Sequence, residues 1–395
     1  MTELLAPAGD LEKLKIALAY GADAVYLALQ RFGLRSGADN FTARELALAV
    51  GLAHQGGKKV YLALNGVLHD EELQELQGFL SELPRPWPDG VICSDLGVME
   101  RVARHTGLPI HVSTQASVLN SWAARLYKDL GASRIVLGRE VSLEEAARIK
   151  DACGLEVELF VHGAMCMSYS GQCTLSNYRS GRDANRGGCD HSCRFAYQLN
   201  DPSAPPSPLL SSQDLNGLGL LKRFEALGLD SAKIEGRKKS SLYLATTLRA
   251  YRAVLDQPAP DLDFWQGELN KISHRSYGTG NLLQAAGADS VDLKEHEEPC
   301  DYEMAGTVLA ADPAQGRVAF GFKNRFYLDM KLEFLGFGGE TIESQVLSLT
   351  DLAGTPLELA QPGQVAWIDL NPPQPPLTVA RIAAKALQRT GPGLG

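Results

Sequence analysis

The sequence predicts an α/β chain, a (β/α)8 TIM-like barrel followed by a small antiparallel β domain. Short apolar runs alternate with helical patterns over the first part of the chain, the rhythm of a parallel barrel of about 250 residues. No G-x-G-x-x-G turn follows the first run, which removes the usual signature of the competing architecture, a doubly wound open sheet. From about Glu297 the texture changes to short alternating runs punctuated by Gly, Pro, Asp and Asn.

Eight runs are short, apolar and strand-like: Glu3–Leu5, Ala24–Leu27, Val60–Leu64, Val91–Cys93, Ile110–Ser113, Ile135–Leu137, Leu155–Val161 and Ser231–Ile234. Helical periodicity follows most of them, as at Asp10–Tyr20, Thr42–His54, Asp70–Leu83, Ser121–Leu130 and Ser142–Ala152. Asp10 and Thr42 are N-cap candidates because a short oxygen-bearing side chain can accept from the first free amides. Ser142 and Glu145 form the S-x-x-E capping box. Residues 1–290 are assigned to the barrel, with a cysteine-rich loop at 162–200. Segments near Ala259–Phe264 and His274–Gly280 lead out of it. Residues 297–370 form the β domain, with runs at Gly306–Leu309, Arg317–Phe322, Lys331–Phe337, Glu343–Leu349 and Gln364–Ile368. Residues 371–395 make a proline-rich exit and C-terminal tail.

The 395 residues carry 45% apolar and 22% charged side chains, ordinary for a globular protein. No apolar run is long enough to span a bilayer, and the N-terminus lacks a signal-peptide pattern. A cytoplasmic location is expected, where thiols stay reduced and clustered cysteines suggest metal or catalysis rather than disulfides. The net charge of −9 argues against bulk attachment to nucleic acid. Its distribution is uneven: residues 166–250 hold 11 Lys/Arg and 7 Asp/Glu (+4), whereas 294–395 hold 8 and 13 (−5). The basic character therefore lies around the cysteine loop.

Four of the seven cysteines, Cys166, Cys173, Cys189 and Cys193, fall in one 28-residue polar window with spacing C-x6-C-x15-C-x3-C. A long loop inside a compact domain needs something to tie it down, and a metal centre would do so. The spacing matches neither the paired short intervals of structural zinc nor the common ferredoxin runs. Four scattered thiolates can still hold an iron–sulfur cluster. The alternative is four buried free thiols, which a polar loop disfavours. Cys93 and Cys153 lie on apolar faces and fit that plainer role; Cys300 is isolated.

In a barrel, chemistry gathers at the C-terminal strand ends. Those ends carry Asn65, Asp95, Thr114, Gln115, Arg139, Glu140, His162, Glu235 and Arg237. His162 and Glu158 share one face of the seventh strand by alternation, and Lys233, Glu235 and Arg237 share one face of the eighth. His162, Glu158, Lys233 and Glu235 are the catalytic candidates; a buried histidine and a structural ion-pair network are the plainer readings. Arg179, Arg182 and Arg186 surround the cysteines, as does Arg194, and guanidinium forks suit carboxylates and phosphates. With Gln115, Arg139, Arg237, His274 and Arg275 they are the candidate substrate-binding set.

The run ELFVHGAMCMSYSGQCTLSN at 158–177 resembles the collagenase-like peptidase family of unassigned mechanism. So do GRDANRGGC at 181–189, DSAKIEGRKKS at 230–240, STQASVLNSWAARLYKDLGASRIVLGRE at 113–140, SHRSYGTG at 273–280 and LLAPAGD at 4–10. Within that family the chain is most similar to the branch of prephenate-dependent transfer-RNA uridine 5-hydroxylation. The resemblance implies a [4Fe–4S] cluster on Cys166, Cys173, Cys189 and Cys193, prephenate as co-substrate and transfer RNA as partner. It implies an RNA-modifying hydroxylase that works without oxygen. Side chains alone do such redox chemistry poorly. The alternatives are a metal-assisted peptidase, hydroxylation of ribosomal RNA or a ubiquinone precursor, and a non-catalytic RNA-binding factor. No H-E-x-x-H zinc helix is present to support the peptidase.

Overall fold

The computed structural model describes residues 1–34, 40–199, 203, 205–294, 298 and 300–387. The strands are β1 (Glu3–Pro7), β2 (Ala24–Ala28), β3 (Lys59–Ala63), β4 (Gly90–Cys93) and β5 (Ile110–Val112). They continue with β6 (Ala132–Val136), β7 (Glu156–Ala164), β8 (Asp214–Asn216) and β9 (Ser231–Ile234). Neighbours run β7-β6-β5-β4-β3-β2-β1-β9, and β9 pairs back onto β7, so eight parallel strands close into a barrel. β8 is an antiparallel addition to the top of β7. β2 reads as a continuous apolar run because it is covered on both faces, and it is buried at every residue.

Helices α1 (Leu11–Ala19), α2 (Ala43–Gln55), α3 (Asp70–Ser81), α4 (Leu96–His105), α5 (Ser121–Asp129) and α6 (Leu143–Cys153) connect the first seven strands. The Asp10 carboxylate accepts from the Lys13 amide at 2.8 Å, and both Thr42 and Ser142 form reciprocal boxes with the Glu three residues on. Helix α4 is an addition to the helices expected from periodicity. Its N-cap is Asp95, whose carboxylate accepts from the Gly97 and Val98 amides at 2.7 and 3.3 Å. Asp95 thus starts a helix rather than contributing a free carboxylate to the rim.

The barrel interior is partly ionic. Glu158, fully buried, accepts from Lys233 at 2.7 Å and Arg134 at 3.1 Å; Arg134 reaches on to Glu3 at 2.6 Å. Lys233 also lies over the rings of Tyr26 and Phe160 at 4.4 and 5.3 Å. Beside this network the His111 ring packs edge-on against Tyr61 with centroids 4.6 Å apart. Burial, followed by the nearby Arg134 and Lys233 charges, pushes its pKa down to about 3 against the opposing pull of Glu3. The unfolded chain protonates this histidine near pH 6.5 and the folded chain does not. Its stabilising contribution is therefore complete above about pH 6.5 and is lost as pH falls toward 3. The urea midpoint is expected to drop between pH 7 and 5, and His111→Asn to flatten that dependence.

The chain divides into two units. The first comprises residues 1–14, 22–238 and 275–297 as far as described; the second comprises 15–21, 239–274 and the described residues from 298 onward. In the second, a seven-stranded antiparallel sheet has the order 341–345, 331–335, 379–383, 302–312, 317–322, 365–369, 349–350. Its core is aromatic, with Phe320 packed edge-on to Phe322 at 4.8 Å.

Three boundaries differ from expectation. Val379–Ala383, in the segment expected to be a tail, is an inner strand of this sheet. Its central Arg381 is fully buried and pairs with Glu268 at 3.0 Å and Glu333 at 2.7 Å, so the charge that makes the run look exposed is neutralised. The expected exit at Ala259–Phe264 leads into a helix at Leu262–Leu269, capped by Asp261. Tyr277–Gly278 pairs with β8 and extends the barrel sheet. No helix among the described residues is long and apolar enough to cross a membrane.

Candidate active site at the barrel mouth

The strand ends and the loop after β7 line a cavity that opens to solvent. Asn65, Thr114, Gln115, Arg139, Glu235 and Arg237 line it from the strand ends, with Tyr26 and Phe160 from the barrel interior. Cys166, Cys173, Cys189 and Cys193 line it from the loop. The cysteine window is therefore brought to the barrel mouth.

The loop is anchored by its own polar residues. The Ser170 amide and hydroxyl donate to Glu140 at 2.9 and 3.1 Å, the Arg139 amide donates to the Ser170 hydroxyl at 3.1 Å, and Ser117 donates to the Ser170 carbonyl. Gly171 follows with φ +76°, and a Cβ there would come within 2.0 Å of the Gln115 carbonyl oxygen. Only glycine permits both that conformation and that approach. A short helix at Leu175–Ser180 interrupts the expected loop. Asp190 accepts from Ser180, Ser192 and Ser176, which hold its carboxyl well below the usual range. The Asn185 side-chain Nδ2 donates to the Cys173 carbonyl at 3.0 Å.

The arginines divide by role. Arg186 forks onto Glu72 at 2.9 and 3.0 Å and reaches the Val67 carbonyl at 2.6 Å, so it fastens the loop to α3. Arg194 donates to the Ser212 and Met165 carbonyls at 2.6 and 2.5 Å and fastens the loop's far end. Arg237 lines the cavity, but its guanidinium donates to the Leu34 carbonyl and faces the Asn40 side chain. Arg275 is paired with Asp214. Arg179 lies over Phe195 at 5.8 Å. Arg179, Arg182, Arg275 and His274 are not among the described residues lining the cavity. Arg139 is different. Its guanidinium stacks on Phe160 at 4.4 Å, and its buried Nε has no hydrogen-bond partner among the described residues. It lies at the cavity wall with one guanidinium nitrogen unpaired.

The catalytic candidates also separate. Glu235 lines the cavity. Glu158 and Lys233 are buried beneath it as an ion pair, with Lys233 against the rings of Tyr26 and Phe160. Burial lowers the Lys233 pKa, and Glu158 opposes that shift. His162 is 1% exposed and packs against Tyr277 at 5.6 Å. It does not share the inner face with Glu158. A bulge between Phe160 and His162 shifts the pairing with β9, so His162 pairs with Ile234 while Phe160 pairs with the inward Lys233. Simple alternation cannot reveal that extra residue. Tyr26, Phe160, Ser170 and Gly171 join the site from structure alone; the Ser-Gly dipeptide is the one local signal in the sequence, as a turn.

The four thiols are free of disulfides. Burial raises the Cys193 pKa; Arg194 lowers it, and Cys166, Cys189 and Cys173 raise it further, so the four feel one another's charge. Among the described residues no group of three or more His, Cys, Asp or Glu is arranged to hold a single metal ion. Thiolates on one zinc must converge to about 2.3 Å from a common centre. Four thiols lining one cavity are the donor type that soft metal centres select.

Fold and cavity define a (β/α)8-barrel protein with a thiol-lined mouth at the strand ends where such barrels carry their chemistry. The chain belongs to peptidase family U32, whose model matches residues 9–292, with the family's C-terminal domain matching 300–381. It is 37% identical over 387 residues to the tRNA hydroxylation protein P1 of Bacillus subtilis (strain 168), covering 93% of this chain and 92% of that one. It is 40% identical over 399 residues to an uncharacterized protease of Methanocaldococcus jannaschii, covering 94% and 95%. A 23S rRNA 5-hydroxycytidine synthase of Escherichia coli (strain K12) is 37% identical over 258 residues, covering 64% of this chain and 39% of that one.

Proposed function

We propose that this protein is an RNA-modifying hydroxylase that converts a transfer-RNA wobble uridine to 5-hydroxyuridine, with prephenate as co-substrate and a [4Fe–4S] cluster on Cys166, Cys173, Cys189 and Cys193. The observation that carries the reading is the meeting of four thiols and Arg139 in one cavity. The extensive likeness to a tRNA hydroxylation protein supports the choice of RNA. A cluster held by the four thiolates supplies the redox capacity that side chains lack. Around it the chain's residues bind and orient. Arg139, stiffened by Phe160, offers a planar fork to a carboxylate. Gln115 offers an amide donor and acceptor, and Asn65, whose oxygen accepts from the Leu34 amide, a donor, suited to a base edge. A target base inside a folded RNA must leave its stack to enter such a cavity.

Anaerobic incubation of the purified protein with transfer RNA and prephenate tests the reading, with nucleosides read by mass spectrometry. Arg139→Lys keeps the charge but loses the fork. It is expected to raise the prephenate concentration for half-maximal rate about tenfold, or roughly 1.4 kcal/mol, with iron content unchanged. An unchanged concentration curve would assign Arg139 another role.

A further inference from the structure

The cysteine loop carries a second feature at the edge of the cavity. Tyr178 is 91% exposed and Tyr169 59% exposed, although neither position is obliged to be aromatic by packing. Phe195 is also exposed and is covered on one side by the Arg179 guanidinium at 5.8 Å. These residues adjoin the mouth. Tyr169 lines the cavity itself, and Leu175, which also lines it, stands one helical turn before Tyr178 and Arg179.

We propose that Tyr178, Arg179 and Phe195 form a stacking platform for unpaired RNA bases flanking the nucleotide that enters the cavity, with Tyr169 continuing it to the mouth. This inference rests on the RNA reading above and adds the surface that would select a single-stranded loop. Aromatic faces and guanidinium planes bind splayed bases of any sequence, and cations beside them meet the phosphates. Local charge fits that occupant. Residues 166–199 hold four Arg and two Asp in a chain of net charge −9. Both acids are engaged internally: Asp183 accepts from the Asn185 amide, and Asp190 from Ser176, Ser180 and Ser192. Arg186 is taken up by Glu72 and Arg194 by backbone carbonyls, which leaves the exposed Arg179 and Arg182 beside the aromatic rings for a polyanion.

The test uses full-length protein purified without oxygen, a fluorescein-labelled anticodon stem-loop and a fully paired duplex of equal length. Tyr178→Ala is expected to weaken stem-loop binding at least about fivefold, within the range for losing one base stack. Tyr178→Phe should bind like the parent, because the ring remains. Arg179→Ala should weaken binding and reduce its salt dependence. Duplex binding should be weak for the parent and unchanged in the variants. The exposed position of Tyr178 keeps folding out of the comparison, and iron content and circular dichroism check it. Equal stem-loop affinity for parent and Tyr178→Ala would overturn the platform while leaving nucleoside hydroxylation intact. A parent protein that binds gelatin peptides and no RNA would overturn both proposals.

Discussion

Cys173→Ser is expected to remove the brown colour and most of the iron from anaerobically prepared protein and to abolish hydroxylation. A single cubane predicts about four irons per chain in the parent. Serine retains the size of the side chain but not the thiolate that soft metal sites select. Cys173 lines the cavity, and its backbone is fixed by Asn185, so the loop cannot readily offer a substitute ligand from that position. The control is Cys93→Ser. Cys93 lies fully buried in β4, where burial pushes its thiol up to about 12; iron content should not change. Iron and sulfide assays with visible spectra on both variants decide the matter. A colourless parent containing one zinc per chain would contradict the cluster.

Glu158→Ala is expected to lower stability by about 3–5 kcal/mol, the usual consequence of removing one partner from a buried ion pair. Glu158 has no exposed surface and balances both Lys233 and Arg134. Arg134 keeps Glu3 and Glu156, so the larger injury falls on Lys233, whose charge is left against aromatic rings. The pair Glu158→Leu with Lys233→Met should recover part of the loss, because an apolar pair avoids the desolvation of two ions. Urea unfolding of the single and double variants measures this. A single variant within about 0.5 kcal/mol of the parent would mean that the network contributes little.

Much of the barrel is legible in the sequence because a parallel strand covered on both faces is largely apolar, as β2 is. The cysteine loop is legible because four thiols clustered in a polar segment have no apolar core to fill. Pairing across the fold is hidden. Arg186 and Arg139 look equivalent in the sequence, yet α3 supplies Glu72 to one while Phe160 supplies only a ring to the other. One bulge residue moves His162 off the face that alternation assigns it. Val379–Ala383 does not read as an inner strand because its arginine finds acids at positions 268 and 333. Such compensation depends on distant residues and leaves no local pattern.

Hydroxylation of transfer RNA is tested most directly by nucleoside mass spectrometry on transfer RNA from cells lacking this protein. Those cells should be complemented with the parent chain or with Cys173→Ser. The 5-hydroxyuridine derivatives at the wobble position are expected to disappear, to return with the parent chain and to stay absent with the serine variant. Unchanged levels in the deletion strain, with no second hydroxylation pathway active, would contradict this function.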